Sequence, residues 1–384
     1  EQKIDTEKLH VKGRRSRKIK TILGEVNYHR QAYHDVKENR LVFPDDELLN
    51  IKQGQGQLDL VKRIVKAGLE VPYADAVDLC ESLMGIRISE GVIHQAVTDV
   101  GQYAAFDKVI PDFETLENKV QELKAADAAD NLHLVVGIDG AMEPMRPQSA
   151  ERKGKRGECF WSECKGFRVY AVTGDHLTNL MSWHQICNEK ELGIYLEKAA
   201  ALVARLDLPV GVIADGAKWI WRHVDQTFGK NQKSFHLLDW YHVAEYISKF
   251  AKIHYKTDCK KSEQWIAKTK ERLMDGRVEY VIQGLKQMSC QSQEADEERS
   301  KFLSYLENNR HRLNYHTARA NSYTIGSGGM ESSNKSVCHT RLKRSGAWWK
   351  ATHANEVLRL RCAKVNGTLD EILDNCWKEK LNHL

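Results

Sequence analysis

The stretch Leu134-Val135-Val136-Gly137-Ile138-Asp139-Gly140-Ala141 is a short apolar run that stops on an aspartate and turns at a glycine. A continuous apolar run of this length, bounded by a turn signal, reads as a strand buried on both faces. Such a strand delivers one carboxylate to the rim of a sheet. The pattern returns at Val210-Gly211-Val212-Ile213-Ala214-Asp215-Gly216-Ala217. Ser234 to Leu238 is a third buried-strand candidate and ends at Asp239, while Glu189 to Leu206 and Lys218 to Phe228 read as helices. Strands interleaved with helices predict an α/β core. Two strands that each end in Asp-Gly-Ala suggest two carboxylates brought to one place, the simplest way to hold a divalent metal ion.

The chain has 384 residues, so two or three units are expected. At 41% hydrophobic it can bury a substantial core, and its formal net charge of +5 is a mild basic excess whose distribution matters more than its size. It contains no apolar run of about 18 residues, so no transmembrane helix is expected. No secretory signal is visible either; the first residue is Glu1. Nine cysteines without a regular framework fit a reducing compartment. Cys159 and Cys164 bracket Phe-Trp-Ser-Glu, with neither a CxxC nor a matching histidine pair to make a zinc site.

Residues 1–20 are charged, with Lys12, Arg14, Arg15, Arg17, Lys18 and Lys20 as a basic cluster, which reads as a solvated tail or as an arm on a DNA backbone. Thr21 to Asp35 reads as a small hairpin around Gly24, and Phe43-Pro44-Asp45-Asp46 breaks the chain. Residues 57–124 read as helices. Tyr73 to Met84, a break at Gly85 to Ile88, and a second helix from Ser89 to Val97 with Ser89 as N-cap fit a helix-turn-helix exposing His94 and Gln95, or an ordinary helical hairpin. Asp112 to Leu123 is a charged helix. After Asp139, a charged loop runs from Arg146 to Arg156, and Cys159 to Val172 reads as two strands turning at Gly166. From Tyr241 to about Leu313 the pattern is helical and polar, an all-α insertion into the core.

Gly326-Ser327-Gly328-Gly329-Met330-Glu331-Ser332-Ser333-Asn334-Lys335 is a glycine-rich loop opening a helix, with Glu331 in the first turn. At helical spacing Asn334, Lys335 and Cys338 share its face. An acid there also stabilises a helix N-terminus on its own account. Together with Asp139 and Asp215, it makes a set able to hold two Mg2+ ions about 3.5–4 Å apart. Hard cations favour carboxylate oxygens over sulfur or imidazole.

The order Asp139, Asp215, Glu331, in the contexts IDGA, ADGA and GSGGMESSNK, resembles the DDE transposases of bacterial insertion sequences, and within them the Kra-type group. The likeness runs from about Gly24 to the C-terminus. It implies a ribonuclease H-like mixed sheet flanked by helices, with Asp139 bridging two Mg2+ ions (Mn2+ as a substitute), Asp215 holding one and Glu331 the other. It implies cleavage of transposon terminal inverted repeats and joining to target DNA, by a homo-oligomer assembled on DNA in the bacterial cytoplasm, at the nucleoid. Asp239-Trp240-Tyr241-His242 resembles the [C/D]xxH motif of several such groups, placing Asp239 and His242 in support of the site or near the scissile phosphate; their other reading is a helix-capping aspartate and a core histidine. Cys338 stands where some groups carry a lysine, so Lys335 and Arg341 become the substitutes. Tyr33-His34-Asp35 stands where relatives carry paired cysteines.

The expected division is a basic arm and hairpin (1–56), a helical DNA-binding region (57–130), the first part of the core (131–244), the helical insertion (245–315), and the second part of the core with basic C-terminal helices (316–384). From Lys335 to Lys364 the bases are Lys335, Arg341, Lys343, Arg344, Lys350, Arg359, Arg361 and Lys364, against Glu356 as the lone acid. A DNA backbone passing this window would bind with a steep salt dependence. Within it, one of Trp348 and Trp349 is expected in the core and the other free to stack on an unpaired base. The function expected is Mg-dependent strand cleavage and transfer. The alternatives are a catalytically decayed or domesticated relative that only binds DNA, and a stand-alone metal nuclease that would nick without end recognition.

Overall fold

The computed structural model describes residues 9–49, 51, 57–126, 131–148, 158–228, 234–256 and 258–382. The chain divides into two compact units, Glu1–Val109 with Trp349–Leu384, and Ile110–Trp348. Both boundaries differ from those expected: the first unit closes at Val109 rather than near 130, and it recruits the C-terminal residues from Trp349 onward.

The first unit opens with a three-stranded antiparallel sheet, β1 (Leu9–Thr21), β2 (Gly24–Asp35) and β3 (Arg40–Val42), followed by the short α1 (Pro44–Leu48). The basic cluster from Lys12 to Lys20 is therefore not a tail but strand β1, paired with β2 from Leu9↔Asp35 to Thr21↔Gly24. Gly24 sits at φ +113°, a conformation that only glycine adopts without strain. Arg17 and Arg30 both pair with Asp46, which ties the hairpin to α1. Residues 1–8, the rest of the expected arm, lie outside the described residues.

Next come α2 (Leu58–Glu70), α3 (Tyr73–Met84), α4 (Glu90–Tyr103) and α5 (Phe106–Val109). The α3–α4 hairpin lies where a helix-turn-helix was read, with Gly85 in the left-handed conformation ending α3. Ser89 stands at the N-cap of α4 but its side chain makes no cap bond. Gln95 is exposed, whereas His94 packs edge-on against Tyr73 and His353.

The second unit is built on a five-stranded mixed sheet. After α6 (Phe113–Ala125) come β4 (His133–Met145), β5 (Phe160–Thr173), β6 (His176–Ile186), α7 (Glu189–Arg205), β7 (Val210–Ala214), α8 (Lys218–Thr227) and β8 (Ser234–Leu238). The strand order is β6-β5-β4-β7-β8, with β4, β5 and β6 antiparallel in sequence and β7 and β8 parallel to β4. A helical block follows: α9 (Trp240–Tyr255), α10 (Cys259–Met274), α11 (Val278–Gln287), α12 (Gln293–Asn308) and α13 (Tyr315–Ala320). Phe250 and Phe302 are fully buried within it, and the Tyr315 hydroxyl donates to the Leu238 carbonyl (3.0 Å), anchoring α13 to β8. The chain then returns to the sheet through α14 (Gly328–Ser333), a π-helical turn (Asn334–His339) and α15 (Thr340–Leu342).

Two strand expectations need correction. Gly166 is not a turn but the middle of the single strand β5, and the true turn lies at Gly174, φ +56°. The partner across that turn, β6, was not foreseen. Also, β4 does not stop at Asp139; it continues to Met145 in register with β5, and only its parallel pairing with β7 ends, at Ile138↔Ala214.

The chain closes with α16 (Ala351–Asn366) and α17 (Leu369–Asn382), which pack on α2, α4 and α5 in the first unit. Arg361 donates to the Leu69 carbonyl and pairs with Glu70, and Lys364 also reaches Glu70 (2.6 Å). Among the described residues no helix is long and apolar enough to cross a membrane.

Candidate active site

Three aspartates leave three neighbouring parallel strands at one level. Ile138 lies opposite Ala214, and Ala214 opposite Leu238; the next residues are Asp139, Asp215 and Asp239. The Asp239 amide still donates to the Ala214 carbonyl (2.8 Å), so the row extends one residue beyond the paired strands. Neighbouring strands are about 4.8 Å apart, which makes these residues lateral neighbours. The row continues on the other side of β4: Asp139 pairs with Gly166, and Gly166 with His184.

Each carboxylate has its own setting. In Asp139, Oδ1 accepts from its neighbour's amide, Gly140 N (2.8 Å), and Oδ2 accepts from Asn334 Nδ2 (2.7 Å). Burial pushes its carboxyl up to about 6, and the charge of Asp215 adds to this against the opposing Gly140 hydrogen bond, the His242 cation and Asn334. Asp215 Oδ1 accepts from Ala217 N (2.9 Å), and its carbonyl accepts from Trp221 Nε1 (2.6 Å). A side chain at Gly216 would strike the ring of Tyr305 from α12, so the helical block reaches the strand end that carries Asp215.

Asp239 is fully buried and saturated. It accepts from His242 Nδ1 (2.6 Å), Ser327 Oγ (2.9 Å), Ser327 N (3.1 Å) and Tyr241 N (3.2 Å). Burial alone would raise its carboxyl, but these bonds, led by that from His242, hold it below the usual range. His242 is raised to about 9, first by its hydrogen bond to Asp239 and then, against burial, by the charges of Asp239 and Asp215. It is therefore a cation at neutral pH beside the aspartate row. Asp239 caps α9, as one of its two readings from sequence has it, and its other oxygen holds His242.

The glycine-rich loop is sewn onto this row. Trp240 N donates to Ile325 O (3.1 Å), and Ser327 is held by Asp239. Behind it, α14 lies on β4 and β5: a Cβ at Gly137 would fall 2.7 Å from the Met330 Cβ, and Arg168 Nη1 donates to the Gly329 carbonyl (2.7 Å). Glu331 is in the first turn of α14 but exposed; the residue that touches Asp139 is Asn334, the first of the π-helical turn that follows. Among the described residues no group of three or more His, Cys, Asp or Glu side chains stands arranged to hold a metal ion. The site thus brings together Asp139, Asp215, Asp239, His242 and Asn334, with Glu331 one turn away on the outer side.

The π-helical turn explains why the expected shared face breaks up. Lys335 is exposed, while Asn334 and Cys338 are buried, Cys338 with its sulfur 3.6 Å from that of Cys164. The π turn closes i→i+5 hydrogen bonds, and Asn334 and His339, five residues apart, both reach β4, the first at Asp139 and the second at Glu143, with His339 Nε2 3.4 Å from Glu143 Oε1.

The basic window is only partly a surface. Arg341 is buried at 3% exposure, which removes it from the residues a DNA backbone could touch. Arg359 and Arg361 donate to the carbonyls of Gly101 and Leu69 within the first unit. Arg344 Nε donates to Thr340 O (2.8 Å), and Lys343 is exposed above the ring of Trp161. Trp348 is exposed; Trp349 and Lys350 are half-buried. Sequence reasoning missed His184, a fully buried histidine whose Nε2 lies 3.2 Å from Asn334 Oδ1, and Glu143 and Trp161. The only local signal was Gly166, whose missing side chain leaves room for the His184 ring.

The model of an uncharacterised protein family (UPF0236) matches residues 1–134, a segment that ends before Asp139. No curated protein matches the chain. Among solved structures, the Drosophila P element transposase strand transfer complex is similar at a TM-score of 0.31 and 10% identity, over 84% of this chain and 81% of that one.

Proposed function

We propose that the chain is a DDE-type DNA transposase with a ribonuclease H-like core, in which Asp139, Asp215 and Glu331 hold two Mg2+ ions. The observation that carries this reading is the pair of aspartates at one level on adjacent parallel strands, with Asp139 raised to about 6 by burial and by Asp215. Asp139 is raised in part by the charge of Asp215, a sign of two acids set close together, and an all-oxygen donor set suits Mg2+ or Mn2+. The sheet order supports the same reading, with the first aspartate on the central strand and the second just after the fourth strand. Glu331 is three residues before Asn334, a spacing that brings Cβ atoms within about 5–6 Å, and Asn334 already touches Asp139.

Bound divalent cations supply the Lewis acidity for in-line displacement at a phosphodiester. The chain's own residues do the rest. Asn334 fixes one oxygen of Asp139, and Asp239 holds His242 as a cation beside the row, where it faces the charge of a DNA backbone. Lys335, exposed next to Asn334, adds a second positive charge. The substrate is the pair of terminal inverted repeats and a target duplex, handled by a homo-oligomer formed on DNA.

Cleavage of the element's own ends, with and without Mg2+, tests the proposal. Asp139→Asn, Asp215→Asn and Glu331→Gln should each cut Mg2+-dependent cleavage by about a hundred- to a thousand-fold, the loss seen for a group acting on developing charge, while end binding persists. Wild-type cleavage rates in any one of them remove that residue from the site. Indiscriminate nicking by the wild type would instead indicate a nuclease.

A further inference from the structure

Trp161 and Trp348 form an aromatic corner on the second unit that its fold leaves in water. Trp161 lies on β5 opposite Pro144, beyond the aspartate level, and Trp348 follows the turn after α15. Their exposures are 50% and 38%, although tryptophan is usually mostly covered. The ring centroids are 6.1 Å apart at 66°, so the pair presents two non-parallel faces rather than one closed stack. Lys343 Nζ stands 5.4 Å from the Trp161 ring centroid and is itself exposed. Lys335 and Arg344, nearby in the chain, have the same sign, while Glu163 on β5 is neutralised by Lys165. A ligand that fits must therefore offer a flat apolar face and a negative charge together.

We propose that this corner is a stacking platform for an unpaired nucleotide of a DNA strand, with a base on the indole faces and the adjoining phosphate at Lys343. A duplex does not meet this requirement, because its bases are stacked on one another and present only their edges. Every base has a π-face, so recognition here is indifferent to sequence. The proposal rests on the reading of the chain as a DNA-processing protein, but it needs neither a divalent cation nor the three carboxylates.

The test is fluorescence anisotropy of the full chain with a labelled short oligothymidylate and with a labelled blunt duplex, both in EDTA. Trp161→Ala and Trp348→Ala should each weaken single-strand binding about ten-fold, within the range of one lost base–aromatic stack. Duplex binding should change less than about two-fold. Trp161→Phe should retain most of the affinity, which separates stacking from a folding defect. Lys343→Ala should lower the log–log salt slope of single-strand binding by roughly 0.7. Equal losses on duplex and single strand, or no loss on either, overturn the platform. So does a shift from dimer to monomer on sedimentation of Trp161→Ala, which would make the corner an interface between copies. Failure of metal-dependent cleavage with single-strand binding intact would sink the catalytic reading and leave this one standing.

Discussion

Asp139 carries a cost that can be read by titration. Its carboxyl is raised to about 6 in the folded chain, whereas an exposed aspartate titrates near 3.9. Between those values the folded state binds the proton more tightly than the unfolded state, so stability falls as pH rises through this window. That difference corresponds to roughly 2–3 kcal/mol by neutral pH. Without divalent cations, Asp139→Asn should therefore raise the melting temperature at pH 8 and leave it nearly unchanged at pH 4. Mg2+ should raise the wild-type melting temperature at pH 8 more than at pH 5, and should not shift Asp139→Asn. A variant that melts lower at pH 8 would show that the carboxylate is structurally needed rather than strained. Glu143 is an internal comparison. It is fully buried, neither of its oxygens has a hydrogen-bond partner among the described residues, and burial raises it to about 7 despite Lys343. The sign is the same: the folded state takes up the proton first, so stability is lost as pH climbs from about 4.3 to 7. Glu143→Gln should melt higher than wild type at pH 8 and alike at pH 4, yet keep the Mg2+ shift that Asp139→Asn loses.

At the scale of elements, the sheet depends on one glycine. A Cβ at Gly166 would lie 2.4 Å from His184 Cδ2 and 2.8 Å from the Trp183 carbonyl. Gly166→Ala should therefore cost about 1–3 kcal/mol by overpacking. If the His184 ring is the cause, the loss in His184→Ala and in the double variant should be nearly equal, a coupling that chemical denaturation of all four proteins would reveal. Additive losses would place the strain elsewhere. The same glycine shows where sequence reading stopped. The runs at 134–138 and 210–214 are legible because each is apolar on both faces and gives way to an aspartate; 234–238, with Ser234 and His236, is legible from its apolar end Leu237-Leu238 before Asp239, so the strand ends Ala214 and Leu238 follow from local composition. β6 was not legible. Ser182, His184 and Gln185 are polar yet buried, His184 against Asn334 a hundred and fifty positions away, and nothing local announces that partner. With β6 unseen, a mid-strand glycine in β5 looked like a turn. The level of Asp139 and Asp215 at neighbouring strand ends was legible from their contexts. That Asn334, not Glu331, meets Asp139 was not legible, because it depends on how α14 lies across Gly137 and on the π turn after it.

At the scale of the whole molecule, the C-terminal helices belong to the first unit. Composition suggests a basic face continuing the Glu331 helix, but Arg361 and Lys364 are spent on Leu69 and Glu70. Asn366 Nδ2 and Thr368 Oγ1 both donate to the Val109 carbonyl (3.0 and 2.9 Å). The backbone of α4 comes so close to α16 that a Cβ at Gly101 would lie 2.6 Å from that of Glu356. Helices this short are marginal alone and rely on their packed faces, so α2 to α4 need α16 and α17 to close their core. Deleting residues 349–384 should then unfold the first unit while leaving Ile110–Trp348 intact, with its sheet and all three carboxylates. Hydrogen exchange should show α2 to α4 losing protection to near-unfolded rates, with β4, β5 and β7 unchanged. The truncated chain should still show the pH-dependent Mg2+ shift assigned to Asp139. Simultaneous loss of protection in both units would mean that they fold as one cooperative block, and that the sheet cannot hold its aspartate row without the helices at the chain's end.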